Sequence, residues 1–237
     1  MPAPLTTRMP MLLAALALAG ASYGSTASAV EAQDDVPTVA VMDFTGFMMG
    51  AGAEAQVNLG KAVTAMLVTE FSGREGIQVV ERAEIRDMLR EQDLALSGRL
   101  DESSAIEIGQ LLGVRYVLHG QVSSVVEDLR MDIRAVDVET SEIVAVMKKN
   151  DRTEALLGVV VEMADEFGSE LDLVPASSRP EIEPIPVAAT IEFSRAVDFE
   201  DRGDVERAIE HYEAALEIHP RHPGARKALE RLGGGAR

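Results

Sequence analysis

The chain has 237 residues, enough for one sizeable hydrophobic core and an appendage. Hydrophobic residues make up 46%, a globular composition, while aromatics are only 4% and Trp is absent, which argues against stacking of nucleic-acid bases or sugars. A net charge of −18 excludes broad cationic binding of nucleic acid or of an anionic membrane surface.

The N-terminus has the pattern of a secretory signal. Arg8 supplies the positive charge, residues 11–21 form an apolar segment too short to span a bilayer, and Ala27, Ser28 and Ala29 form an A-x-A cleavage site. The expected mature start is Val30, and residues 1–29 are set aside from the fold. With no Cys in the chain, no disulfide forms and an exported domain depends on its core alone. No membrane span is expected after signal removal.

Residues 38–44 are mostly apolar and fit a central strand buried on both faces. Residues 46–52 hold Gly46, Gly50 and Gly52 around Met48 and Met49, and are expected to form a strand-to-helix loop whose adaptable Met side chains suit partner contact. A phosphate-binding loop fails at both ends, because Ala55 stands at the first-glycine position and Ala62 follows Gly60 and Lys61 where Ser or Thr is required.

Leu59, Val63, Met66, Leu67 and Phe71 recur at helical spacing, and Gly73 and Gly76 end that helix. A short strand at residues 77–80 ends on Glu81 and Arg82. A helix follows with Ile85, Met88 and Leu89 on one face, broken at Ser97 and Gly98. Asp101 stands where an N-cap belongs, and a second helix carries Ile106, Leu111 and Leu112 up to Gly113. Residues 114–118 form the next strand.

The pattern then changes to antiparallel sheet. Leu129, Met131, Ile133 and Ala135 alternate with Arg130, Asp132 and Arg134, a strand with one wet face. Residues 139–142 make a turn, residues 143–147 form another strand, and Lys148 and Lys149 close it. Thr153 is expected to cap a helix striped with Leu156, Leu157, Val160, Val161, Ala164 and Phe167. The fold class is α/β, a mixed sheet with flanking helices.

Three segments carry a family resemblance: VVER at residues 79–82, REQ-x-L-x-x-SG-x-x-D at residues 90–101, and IGQLLGVRYVLHG at residues 108–120. Together with VAVMDF at residues 39–44 and the stretch at residues 137–143, they resemble the curli secretion channel lipoprotein family and its soluble relatives. Those relatives include the outer-membrane lipoprotein activators of peptidoglycan synthases. The resemblance covers roughly residues 37 to 172, and the corresponding α/β domain is drawn at residues 37–173.

The sequence departs from the family at three points. The lipid-bearing cysteine is missing, so no lipid anchor is expected. Ser141 stands where family members usually have Gly. The channels insert two long β-hairpins that build a membrane barrel, and transmembrane strands need about 9–11 residues each. Residues 121–128, and the few residues between Met147 and Thr153, leave no room for either hairpin. The resemblance implies the domain and not the pore.

Residues 174–186 are a Pro-rich linker that reaches roughly 35 Å if extended as polyproline II at ~3.1 Å per residue. Beyond it, Phe199, Gly203, Ala208, Tyr212, Ala215 and Pro220 fall at the spacing of a tetratricopeptide repeat. Residues 187–232 are therefore expected to form an all-α helical-hairpin repeat with a capping helix. Glu192 and Arg195 occupy positions that are usually apolar. A single repeat does not bury its own apolar face, so Val205, Ile209, Tyr212 and Leu216 are expected to pack against the first domain, a second copy or a client. Residues 187–237 carry 10 acids and 8 bases, net −2, against −17 for residues 30–186, which makes the repeat the favoured docking surface for an acidic partner.

No reactive constellation stands out. His119 reads as a satisfied strand residue, His211, His219 and His222 lie in the repeat, and no metal-ligand spacing is present. The acidic pairs at residues 34–35, 127–128 and 165–166 read as solvated surface. Asp43 lies at the carboxyl end of a strand, where α/β sheets place chemistry, but has no partner recognisable in the sequence. No catalytic, cofactor-binding or metal residue is assigned and no cofactor is expected.

The expected protein is a non-enzymatic, periplasmic interaction or adaptor protein of the cell envelope, serving secretion, surface-fibre assembly or cell-wall synthesis. Its partners are envelope proteins or further copies of itself, with outer-membrane association only through a partner. One alternative is a ring-forming collar of a curli-type secretion apparatus. Another is an envelope hydrolase using Asp43 and Glu81.

Overall fold

Strand β1 (Thr38–Val41) sits inside the sheet because both its faces are apolar. Val39 and Val41 point into one hydrophobic cluster, and Ala40 and the following Met42 into another on the opposite face. The computed structural model describes residues 36–50, 53–91, 101–171 and 182–233, with backbone alone for residues 50 and 53–57. The signal-like segment at residues 1–29 and the break at Ser97 and Gly98 lie outside the described residues, as does most of the linker.

The described residues form a mixed seven-stranded sheet. β1 pairs in parallel with β4 (Gln78–Val79) on one side and with β5 (Tyr116–Val125) on the other. β2 (Thr45–Gly50) continues along the same edge of β5, also parallel, and pairs antiparallel with β3 (Ala53–Val57). β6 (Asp128–Asp137) and β7 (Glu142–Arg152) complete an antiparallel meander with β5.

The expected loop at residues 46–52 is therefore corrected over its described part: residues 46–50 lie in β2, which pairs with β3, while residues 51–52 lie outside the described residues. The parallel edge of β5 supplies backbone partners for residues that local composition assigns to a loop. β5 likewise runs on to Val125, so residues 121–125 are strand rather than connection.

Helix α1 (Leu59–Ser72) buries Leu59, Val63, Met66, Leu67 and Phe71 against one face of the sheet. Helix α4 (Leu156–Glu170) buries Leu156, Val160, Ala164 and Phe167 beside it. Phe71 and Phe167 meet edge to face at 5.5 Å. Burying each such side chain contributes about 1.5–3 kcal/mol. The opposite face is covered by α2 (Arg82–Glu91), through Ile85 and Leu89, and by α3 (Glu102–Leu112), through Ala105 and Ile108.

Asp101 caps α3 by accepting a hydrogen bond from the Ser104 N–H at 2.8 Å, and Gly113 ends it at φ 65°. Thr153 does not cap α4 through its side chain. It begins a single 3-10 turn, and its hydroxyl hydrogen-bonds the Ser124 hydroxyl at 2.7 Å, because β7 extends to Arg152 and carries Thr153 against β5.

The C-terminal segment forms α5 (Val187–Asp201), α6 (Val205–Ile218) and α7 (Pro223–Leu232). Gly203, at φ 80°, turns α5 into α6, and Ala208 and Ala215 are fully buried between the paired helices. The described residues from Val36 onward make one compact unit, with α5 and α7 lying against α1. Of the four side chains expected to pack beyond the repeat, Tyr212 is buried and Ile209 and Leu216 are half-buried, but Val205 is 44% exposed. Docking runs chiefly through α5 and α7. The end of the linker is anchored: Ile185 is fully buried with Leu157, Val161 and Ala189, and its N–H donates to the Glu154 carbonyl at 3.1 Å.

Candidate functional site

The carboxyl ends of β1 and β4 open a crevice. β1 leads, through the β2–β3 hairpin, to α1 on one face of the sheet, whereas the neighbouring β4 leads to α2 on the other. The two connections part at this point, the geometry at which open α/β sheets form clefts.

A backbone irregularity shapes the floor. Val41 pairs with Leu118 and Thr45 with Gln121, so residues 42–44 span a distance that β5 covers with residues 119–120. The extra residue bulges the edge and turns the Asp43 side chain outward. Thr64, fully buried on α1, stabilises this turn. Its hydroxyl accepts the Phe44 N–H at 3.0 Å and lies 3.3 Å from the Met42 carbonyl and 3.1 Å from the Gly60 carbonyl. Gly60 lets the helix approach this closely, since a Cβ there would stand 1.9 Å from the Phe44 carbonyl oxygen.

The resulting cavity is about 470 Å³. Met42, Phe44, Ile85 and Leu89 give it an apolar floor, and Lys61, Arg82, Arg86 and Arg90 line it with positive charge beside Asp43. The Arg82 guanidinium donates to Asp43 Oδ1 from Nε at 3.2 Å and from Nη2 at 2.8 Å. The partner that the sequence did not reveal is thus Arg82.

Behind the crevice lies Asp201, the last residue of α5. Its carboxylate is buried and receives Lys61 at 3.2 Å, Arg82 at 3.0 Å, and Arg86. Lys61 also reaches Asp198 at 3.0 Å. Burial, then the neighbouring Arg82 charge, holds Arg86 below the ordinary guanidinium value. One helix turn of the C-terminal module therefore ties α1 and α2 together.

A second contact reinforces the docking. Glu200 accepts the Tyr212 hydroxyl at 2.7 Å and Arg231 at 2.7 and 3.1 Å. Burial raises its carboxyl, but the bonds from Arg231 and Tyr212 outweigh burial and hold it below the usual range. Burial and the Glu200 charge push the Tyr212 phenol up.

The other residues weighed from sequence are scattered. Glu81 is exposed and lines a different cavity, between α2 and the C-terminal helices, so Asp43 and Glu81 do not share one cleft. His119 is buried against the open face of the meander with no partner for Nε2, which corrects its reading as satisfied; burial, then Arg134, lowers its basicity. His211 pairs with Glu192 at 2.6 Å and stacks on Phe199. His222 is fully buried, and its Nδ1 accepts the Ala225 N–H at 3.3 Å to cap α7.

No group of His, Cys, Asp and Glu able to hold a metal occurs among the described residues. Glu127 pairs with Arg152, Asp165 with Arg74, and Glu166 with Lys149; Asp34 and Asp35 lie outside the described residues. No described helix is long and apolar enough to cross a membrane.

Residues 19–127 match the family model for the curli production assembly/transport component CsgG. The match ends at Glu127, in the turn between β5 and β6, and takes in the crevice but not the C-terminal helices. Comparison with curated proteins gives no match.

Several solved structures are similar. The LpoB C-terminal domain from Salmonella enterica aligns at 19% identity over 49% of this chain and 83% of that one, with a TM-score of 0.41. A lipoprotein from Neisseria meningitidis aligns at 14% identity over 56% and 96%, TM-score 0.40. The PelC dodecamer from Paraburkholderia phytofirmans aligns at 12% identity over 62% and 91%, TM-score 0.35. Likeness at these levels carries no functional argument.

Proposed function

We propose that the chain is a non-enzymatic interaction protein of the cell envelope, serving secretion, surface-fibre assembly or cell-wall synthesis. In this reading an α/β domain, residues 37–173, is joined by a linker, residues 174–186, to a tetratricopeptide-type module, residues 187–232. The envelope assignment is supported by the match of residues 19–127 to the curli-assembly family model and by the signal-like N-terminus.

One observation carries the non-enzymatic reading. The crevice where an α/β sheet places its chemistry has Asp43 bound to Arg82, and no histidine among its lining residues. Asp43 is engaged in that ion pair, and no histidine stands beside Thr45, the hydroxyl that lines the cavity. What remains is an apolar tip on the sheet: Met49, Val125 and Val126 are 54%, 50% and 58% exposed and adjoin one another.

A photo-crosslinker placed at Val126 in cells exporting the chain tests this reading. The expected result is one adduct of defined mass with an envelope protein, retained when Asp43→Asn is added and missing when the probe sits at Glu107 on α3. Turnover of a peptidoglycan or peptide substrate by the purified protein, abolished by Asp43→Asn, overturns it. Native mass by light scattering separates an adaptor from a ring: a monomer or dimer fits the former.

A further inference from the structure

We propose that the crevice at the carboxyl ends of β1 and β4 binds a carboxylate ligand with an apolar body. The inference goes beyond the docking role and does not depend on it.

Size and shape come first. A cavity of about 470 Å³ is that of a site for a small organic molecule. Its floor of Met42, Phe44, Ile85 and Leu89 offers apolar surface to the body of the ligand. Those side chains are already nearly buried, so the floor is preformed.

Charge selects the head group. Four cations, Lys61, Arg82, Arg86 and Arg90, line the cavity against one anion, Asp43, in a chain whose net charge is −18. Such a local reversal of sign focuses an anion into the cleft. Part of this charge is answered from behind by Asp201 and Asp198, which bind Lys61, Arg82 and Arg86. Arg90 is answered least: its ion pair with Asp87 is 3.5 Å long and lies in solvent.

Helix α1 adds to the same field. Its N-terminus borders the cavity at Asn58, whose side chain makes no capping bond, and its first turn holds no acid but does hold Lys61. A cation at the positive end of a helix dipole is unfavourable on its own and is relieved by a bound anion.

Carboxylate is favoured over other anions because the same cations already hold two carboxylates, Asp43 and Asp201, in this structure. Guanidinium groups donate paired N–H bonds to carboxylate oxygens, as Arg82 does from Nε and Nη2 to Asp43 Oδ1.

Isothermal titration of the purified protein with octanoate, octanol, octylamine and octyl phosphate tests the assignment. Octanoate is expected to bind one to one. Octanol, with the same apolar body and no charge, should bind about tenfold more weakly, and Arg90→Gln should weaken octanoate by a similar factor. Arg90 is exposed and outside the Asp201 network, so this variant tests the site without loosening the fold. Equal binding of octanol, tighter binding of octyl phosphate, an undiminished affinity in Arg90→Gln, or no octanoate binding at all overturns the proposal. None of those outcomes bears on the crosslinking result at Val126.

Discussion

Asp201 of α5 stands 3.0 Å from Arg82 of α2, across the joint between the C-terminal helices and the α/β sheet. The Asp201 side chain is 5% exposed and its cationic partners are each at most a quarter exposed. Asp201→Ala leaves those cations crowded without their shared anion. The expected cost is roughly 3 kcal/mol, at the low end for a buried pair because the partners keep some solvent. Urea unfolding measures it, and hydrogen exchange should show α5 amides opening before those of β6. Breaking the surface pair Arg130–Asp132 by Arg130→Ala should leave the urea midpoint nearly unchanged, because the guanidinium lies in solvent.

Gly60→Ala tests the close approach of α1 to the bulge. Helix propensity alone predicts a gain of about 1 kcal/mol. The new Cβ would stand 1.9 Å from the Phe44 carbonyl oxygen, and backbone cannot yield as a flexible side chain does. The expected net effect is a loss of about 3 kcal/mol. Thr64→Val, which keeps the shape and leaves the Phe44 N–H without its partner, should cost about 1–3 kcal/mol. Thermal melts followed by circular dichroism check both.

Two turns hold side chains in the left-handed region, Val126 at φ 60° and Ser141 at φ 59°. Each costs about 1–2 kcal/mol relative to glycine. Ser141→Gly should raise stability by about 1 kcal/mol and leave crosslinking at the β5–β6 tip unchanged. Val126→Gly should also stabilise, yet lose binding of any partner that docks on the apolar tip. A rise in melting temperature for both, with binding lost only in Val126→Gly, is the expected pattern.

His222 gives a pH signature. Burial lowers its pKa from 6.5 to about 4, so the folded protein keeps the ring neutral while the unfolded chain protonates it. Stability therefore falls as pH drops from about 6.5 towards 4, by roughly 3 kcal/mol in all. His119, also lowered by burial, acts in the same direction. His222→Asn keeps a side-chain oxygen for the Ala225 N–H and should flatten most of that slope. Unfolding free energies from pH 4 to 7 for the two proteins decide it.

Much of this molecule was legible in residue order. The stripe Leu59, Val63, Met66, Leu67 and Phe71 marked α1, and the alternation from Leu129 to Ala135 marked a half-buried strand, because one-sided burial imposes its period on the sequence. Asp101 and Gly113 marked the ends of α3, since capping is a contact within one helix turn. The hairpin at β2 and β3 was hidden because its partner is β5, some seventy residues away, and nothing local distinguishes it from a Gly- and Met-rich loop.

The candidate site was hidden for the same reason in stronger form. Asp43, Lys61, Arg82 and Asp201 lie on four segments: the sheet and its covering helices bring the first three to one cavity, and packing of α5 against α1 adds Asp201. Composition, periodicity and caps determined the class of fold and the two ends of α3. Tertiary structure alone decided that the C-terminal helices close onto α1 and that the cleft is cationic within an acidic chain. Local signals act over one turn or one strand, whereas charge complementarity acts through space between segments that the sequence keeps far apart.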